Sequence, residues 1–397
     1  MKISKRIQKV PASPIRKLTP FALAAKENGK KIYHLNIGQP DVETPPAFFE
    51  AVKNYHSKVL AYGVSQGDPE LIEAVCKYYK RWNIHYEPEN IFITNGGSEA
   101  VGFAIMSLCD AGDNILMFEP FYANYQSYVN EFGAEIVAVP TTAENGYHLP
   151  DAATIEKYIN PRTKGILLSN PGNPTGVIYT KKEMDEITSI VLKHDIALIS
   201  DEVYREFVYD GEYASFGARP ELDNNLLMID SISKRFSACG ARIGSIITKD
   251  KDLFAPLLKC CQARLCCPAL EQIGATALYS TPESYFKAVN NEYKKRRDTI
   301  KAELAKIPGL ISSDPKGAFY VMAKLPVDNA EEFAKWLLTD FEDKGESVMI
   351  TPGYGFYATP GKGLDEVRLA YVLNCEALTR AIRLLGAGIK AYNSRKN

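Results

Sequence analysis

The chain has 397 residues, beyond the size at which one hydrophobic core usually stops growing, so two or more domains and an enclosed site are expected. Its 47 basic and 48 acidic side chains nearly cancel, which argues against protein-wide attraction to nucleic acid or anionic lipid. The opening stretch MKISKRIQKVPASPIRK is basic but lacks an apolar core of secretory type, no uncharged apolar run is long enough to span a bilayer, and no N-x-[ST] sequon occurs. A cytoplasmic protein with no membrane and no nucleic-acid partner is therefore expected.

In chain order, apolar strand candidates are IFIT (91–94), NILMF (114–118), AEIVAV (134–139), GILLS (165–169), IALIS (196–200), NLLMI (225–229) and IGSIIT (243–248). Helical patterns such as SEAVGFAIMSLC and KKEMDEITSIVLKH lie between most of them. Strands apolar throughout and separated by helices indicate an α/β fold with a mostly parallel sheet covered on both faces. From about residue 285 the pattern changes to a long charged helix, YFKAVNNEYKKRRDTIKAELAK, then GAFYVMAKL and VRLAYVL, which read as a smaller α+β domain. The expected division is an arm over 1–46 packing with the small domain, a large domain over 47–284 and the small domain over 285–397.

The eight cysteines of a long chain without a secretory signal are expected to remain thiols. Four of them cluster in KCCQARLCCP (Cys260, Cys261, Cys266, Cys267), but adjacent pairs lack the C-x-x-C spacing that converges two sulfurs on one ion. No metal is expected, and small buryable side chains in a tight segment are the better account.

Ligands of such sheets bind beyond the carboxyl ends of the strands. After IFIT comes NGGSEAVGFA, a glycine turn feeding a helix start, which suits a phosphate or serves packing alone. No G-x-G-x-x-G or G-x-x-x-x-G-K-[ST] occurs, so nucleotide readings lose support. After NILMF, Tyr122 in EPFYANY offers a flat face for stacking, or fills the core. SNPGNPTG follows GILLS with two asparagines ready to hydrogen-bond. Asp201 directly follows IALIS, where an uncompensated carboxylate would be costly, and Tyr204 is expected one helical turn away on the same side.

The remaining strand end, DSISKRFSACGARIG, delivers Lys234 among small residues, with Ser231 before it and Arg242 after it. A lysine amine in such a place is a nucleophile toward carbonyls. With a phosphate cradle, a stacking aromatic, a buried carboxylate and hydrogen-bond donors around it, the requirements are those of pyridoxal phosphate.

The chain resembles a class I/II aminotransferase, of the pyridoxal-phosphate family with the aspartate aminotransferase fold, from IGQPDVETPP to VRLAYV. The resemblance rests on SNPGNPTG, SDEVYREF and SISKRFSACGARIG. It implies that Lys234 forms the imine with the cofactor, that Ser231, Arg242, Gly97 and Ser98 bind its phosphate, and that Asp201 keeps its ring nitrogen protonated. Asn173 and Tyr204 would hydrogen-bond the ring hydroxyl, and Tyr122 would stack on the ring. Arg368 would take the substrate α-carboxylate, with the Gly38 backbone facing it, and Tyr62 would reach the phosphate of a neighbouring subunit, implying a homodimer. The implied reaction moves an amino group from an L-amino acid to a 2-oxo acid by ping-pong kinetics, Lys234 shuttling the proton.

For the donor, aspartate or a broad or aromatic range is expected. Ser98 stands where one aspartate-using branch carries a lysine, and Arg264 in CQARLCCPA falls near the segment that supplies a distal-carboxylate arginine in another branch, or is a surface or interface residue. A lyase or decarboxylase on the same scaffold is the alternative. A non-catalytic cofactor-binding regulator is disfavoured by the presence of both Lys234 and Arg368.

Overall fold

The apolar β-branched runs form strands that bring five distant sequence segments to one sheet edge. The computed structural model describes residues 1–395. Its strands are β1 (Lys31–His34), β2 (Ile91–Thr94), β3 (Asn114–Glu119), β4 (Glu135–Pro140), β5 (Thr163–Ser169), β6 (Ala197–Asp201), β7 (Leu226–Ser231), β8 (Gly244–Ile247), β9 (Ile311–Ser312), β10 (Tyr320–Lys324), β11 (Glu346–Met349), β12 (Thr351–Pro352) and β13 (Glu366–Ala370). Seven of them make one sheet in the order β2-β8-β7-β6-β5-β3-β4. Its pairs are parallel except that β8 runs antiparallel to both β7 and β2.

The reversal at β8 has a local cause. A parallel return needs a crossover that carries the chain back to the far end of the sheet, whereas here Ser231 pairs directly with Gly244. The intervening segment folds back on itself, and its neck is closed by Ser231 Oγ donating to Ile243 O at 3.0 Å. Lys234 thus sits in the loop of a hairpin at the sheet edge.

The C-terminal layer has a four-stranded antiparallel sheet, β12-β13-β10-β9, beside the parallel pair β1-β11. Helix Glu283–Leu304 buries Phe286, Val289, Tyr293, Ile300 and Leu304, spaced by three, four and seven residues so that they share one face. This layer shares a core with Val203, Tyr204 and Phe207 from the segment after β6. The arm divides: helix Thr19–Glu27 and β1 lie on the C-terminal layer. Helix Lys5–Lys9, expected there too, sits on helix Asn124–Glu131 of the large layer, where Asn130 Nδ2 donates to Lys9 O at 3.3 Å. Residues 396 and 397 of the expected small domain lie outside the described residues.

Behind the strand ends lies a buried polar network. Glu202, fully buried, accepts from Ser200 Oγ (3.1 Å), Tyr213 Oη (2.6 Å), Ser215 Oγ (2.6 Å), the Phe216 N–H (3.0 Å) and Arg205 Nη2 (2.8 Å). Asp230 accepts from Arg235, from Tyr79 Oη at 2.5 Å and from the Ser231 N–H at 2.7 Å. Removing one member of a buried pair leaves the other charge uncompensated. Glu202→Ala is therefore expected to lower the free energy of unfolding by about 3–5 kcal/mol in denaturant titration. Lys181→Ala, which removes the solvent-exposed pair with Asp185, is expected to leave the midpoint unchanged within error.

Candidate active site

Lys234 lies in the short helix Ile232–Arg235, whose cap is Ser231, its Oγ accepting from the Ser233 N–H at 3.1 Å. The half-buried amine donates to Gly38 O at 2.9 Å and stands 3.9 Å from Cys239 Sγ. It opens into a cavity of about 550 Å³ between the large sheet's edge, the arm and the C-terminal layer. That size and setting suit a cofactor and a small substrate together.

One end of the cavity is built for an anion. Helix Gly96–Leu108 presents Gly97 and Ser98 to it in a first turn whose N–H groups have no partner within the helix. Arg242, in the left-handed region at φ 54°, reaches over this turn, donating to Cys239 O at 3.1 Å and Asn95 O at 3.4 Å. Gly96 makes that reach possible: at φ +77° it suits glycine, and a Cβ there would collide with the Arg242 guanidinium. The sequence reading took Gly97 and missed Gly96.

Asp201 lies on the cavity floor as the last residue of β6 rather than just beyond it. It accepts from Tyr125 Oη at 2.6 Å and from the Val203 N–H at 3.3 Å. Burial dominates over these donors and pushes its carboxyl up to about 6. Tyr125, unassigned from sequence, stands three residues after Tyr122 in the same FYANY run. Tyr122 lines the cavity half-buried, edge-on to Tyr125 at 5.3 Å.

The expected helix carrying Tyr204 is absent: residues 203–206 form a turn, because Glu202 is drawn into its buried network. Tyr204 still lines the cavity, its hydroxyl 2.9 Å from that of Tyr320, and burial holds it well above the usual phenol range. Tyr320, the first residue of β10, was also missed. Its ring lies 4.4 Å from the Arg368 guanidinium, and a Cβ at Gly38 would collide with its hydroxyl. Arg368 itself, buried on β13, donates to Asn173 Oδ1 at 3.1 Å and Asn36 O at 2.7 Å. Asn173 keeps its amide NH₂ free to donate into the cavity.

Two expected residues stand apart. Tyr62 is exposed and shares a separate surface depression with Arg264. Arg264 does not reach the Lys234 cavity: its Nη2 donates to Ser65 O at 3.1 Å and Ile93 O at 3.2 Å, and its Nε lies 3.7 Å from Glu99. Its guanidinium is thereby held by groups of its own chain. Among the described residues no group of His, Cys, Asp and Glu is arranged to hold a metal ion, and no helix is long and apolar enough to cross a membrane.

Residues 30–385 match the family described as aminotransferase class I and II, and the chain belongs to that pyridoxal-phosphate-dependent family. It is an aminotransferase, with the fold of aspartate aminotransferases. It is similar to an aspartate aminotransferase of Bacillus subtilis, 29% identical over 99% of this chain and 100% of the relative. It is also similar to aromatic-amino-acid aminotransferase 2 of Thermococcus litoralis, 31% identical over 96% and 97%. Among solved structures, an alanine aminotransferase from Pyrococcus furiosus superposes with a TM-score of 0.89 at 31% identity, covering 98% of this chain and 100% of that one.

The raised Asp201 carboxyl has a consequence for stability. The folded, cofactor-free protein binds this proton more tightly than the unfolded chain, whose carboxyl titrates near ~3.9. Asp201 thus adds least penalty below pH ~4, and its own contribution to stability falls as pH rises from there through about 6. Measured by denaturant titration across that window, Asp201→Asn is expected to gain up to about 3 kcal/mol relative to the parent as pH rises.

Proposed function

We propose that the chain moves the α-amino group of an L-amino acid to a 2-oxo acid in a ping-pong cycle, with pyridoxal phosphate held at Lys234 and aspartate or a broad or aromatic range as donor. The observation that carries this reading is the convergence of Lys234 and Arg242, Asp201, and Arg368, from three distant segments, on one cavity.

When bound, pyridoxal phosphate supplies an aldehyde that condenses with amines and a ring that draws electrons from the carbon bearing nitrogen. The donor set fits it. Arg242, Ser231 and the N–H groups at Gly97 and Ser98 would hold the phosphate, in a cradle that a Cβ at Gly96 would block. Asp201, short of donors and deeply buried, would pair with the ring nitrogen and hold a proton on it. The Asn173 amide and the protonated Tyr204 hydroxyl would donate to the ring hydroxyl, and Tyr122 would cover the ring face.

Arg368 would clamp the substrate α-carboxylate, and the Gly38 backbone would border it. Lys234, displaced by the substrate amine, would then take the α-proton and return it across the short span of its own side chain. The proposed assembly is a homodimer in which Tyr62, beside exposed Val59, Leu60 and Val64, faces the neighbouring subunit's phosphate. The eight unpaired cysteines support a cytoplasmic location.

Mixing the purified protein with pyridoxal phosphate is expected to produce a visible absorption band that Lys234→Ala lacks. An L-amino acid added without acceptor should bleach the band and release its 2-oxo acid; carbon dioxide or an elimination product instead would mark a decarboxylase or lyase. Tyr320→Phe keeps the ring over Arg368 but removes the hydroxyl that meets Tyr204. It is expected to lower kcat/KM about three- to tenfold in steady-state assay, the worth of one buried hydrogen bond.

A further inference from the structure

The Lys234 cavity carries one cation more than the cofactor and an α-carboxylate require. Arg242 serves the phosphate end, Lys234 the aldehyde and Arg368 the α-carboxylate. Arg16 also lines the cavity, and its exposed side chain has no hydrogen-bond or ion-pair partner among the described residues.

Its position is fixed from both sides. Residues 13–19 form a tight turn, in which the Arg16 and Lys17 N–H groups donate to Ser13 O at 3.1 and 3.0 Å. Before it, Ile15 O accepts from Asn36 Nδ2 at 3.0 Å, and Asn36 O accepts from Arg368 Nη2 at 2.7 Å. One asparagine therefore ties the arm bearing Arg16 to the arginine that would read the α-carboxylate. After it, Lys17 pairs with Glu331 and donates to Tyr354 Oη at 2.8 Å. With both neighbours pinned, Arg16 lines the cavity together with Ile15 and Ile37 while its side chain stays exposed. The cavity's carboxylate, Asp201, lies on the floor under Tyr125.

We propose that Arg16 reads the substrate side chain, binding a distal carboxylate while Arg368 binds the α-carboxylate, so that the enzyme favours dicarboxylic donors and acceptors. The proposal rests on the aminotransferase reading of the site. A guanidinium matches a carboxylate with two parallel N–H donors, which a compact ammonium cannot reproduce. A neutral side chain leaves Arg16 in solvent at no cost, so selectivity arises from attraction of acidic substrates and not from exclusion of neutral ones.

The test is steady-state kinetics of the holoenzyme with aspartate and glutamate against alanine and phenylalanine, in the parent, Arg16→Met and Arg16→Lys. The parent is expected to prefer the acidic pair. Arg16→Met should lower kcat/KM for that pair about ten- to hundredfold, mostly through KM, the loss of a charge-assisted hydrogen-bonded contact. The neutral pair should change less than about threefold, and Arg16→Lys should recover part of the loss. Equal losses on all four donors, unchanged acidic selectivity, or a parent that prefers neutral donors would overturn the proposal alone. A holoenzyme that forms 2-oxo acid from no donor would overturn the aminotransferase reading with it.

Discussion

Asp201 is buried at the carboxyl end of β6 with one phenolic donor and one long backbone contact. A carboxylate in that position lacks the donors needed to offset its lost hydration, and its carboxyl rises to about 6 in consequence. The ring nitrogen of the proposed cofactor, once protonated, would be a partner that relieves this imbalance. The neighbouring strand β7, paired in register with β6, then carries Lys234 into the same cavity. The acid is thus set by the sheet itself, and the amine by the short capped helix Ile232–Arg235 that directly follows β7.

The strand ends hold because adjacent residues are used in opposite directions. Asp201 faces the cavity while Glu202 faces a network of five donors behind it. Lys234 faces the cavity while Arg235 is locked to Asp230 with its guanidinium 4.3 Å from the Tyr78 ring. Buried pairs of this kind contribute little net stability compared with apolar packing. Their effect is positional: each fixes the backbone one residue from a group that must meet the cofactor.

The strands and most cavity residues were legible in the sequence because each sits at the end of an apolar run, where alternation and turn chemistry are local signals. Lys234, Arg242 and Ser231 shared one such segment, and the resemblance of that segment to a known family implied the roles proposed for them. What stayed hidden depends on contacts between segments far apart. The need for glycine at Gly96 comes from Arg242, and at Gly38 from Tyr320. Tyr125 acquires its role only because its hydroxyl reaches Asp201, 76 residues further along the chain. The turn at 203–206 replaced an expected helix because Glu202 bonds forward to Tyr213, Ser215 and Phe216, a pattern that no periodicity announces. Arg264 was open between a substrate cation and a surface or interface residue from its place in the chain, and backbone carbonyls of its own fold hold its guanidinium outside the Lys234 cavity.

Relatives named for aspartate, aromatic amino acids and alanine resemble this chain to nearly the same degree, so overall similarity carries no substrate information. The architecture explains why. Arg368 and Asn173, at the α-carboxylate end, come from β13 and from the loop after β5, and they are buried and bonded to one another. The cavity is also bordered by the arm, through Ile15, Arg16 and Ile37, partly exposed and tied to the buried residues by Asn36, which bonds Arg368, and by Gly38, which accepts from Lys234. A substitution at Arg16, whose side chain bonds none of them, alters what lines the cavity without removing a contact of Lys234, Asp201 or Arg368. Reaction and specificity are therefore carried by different layers of one cavity, and the residue that separates an acidic from a neutral preference belongs to the arm.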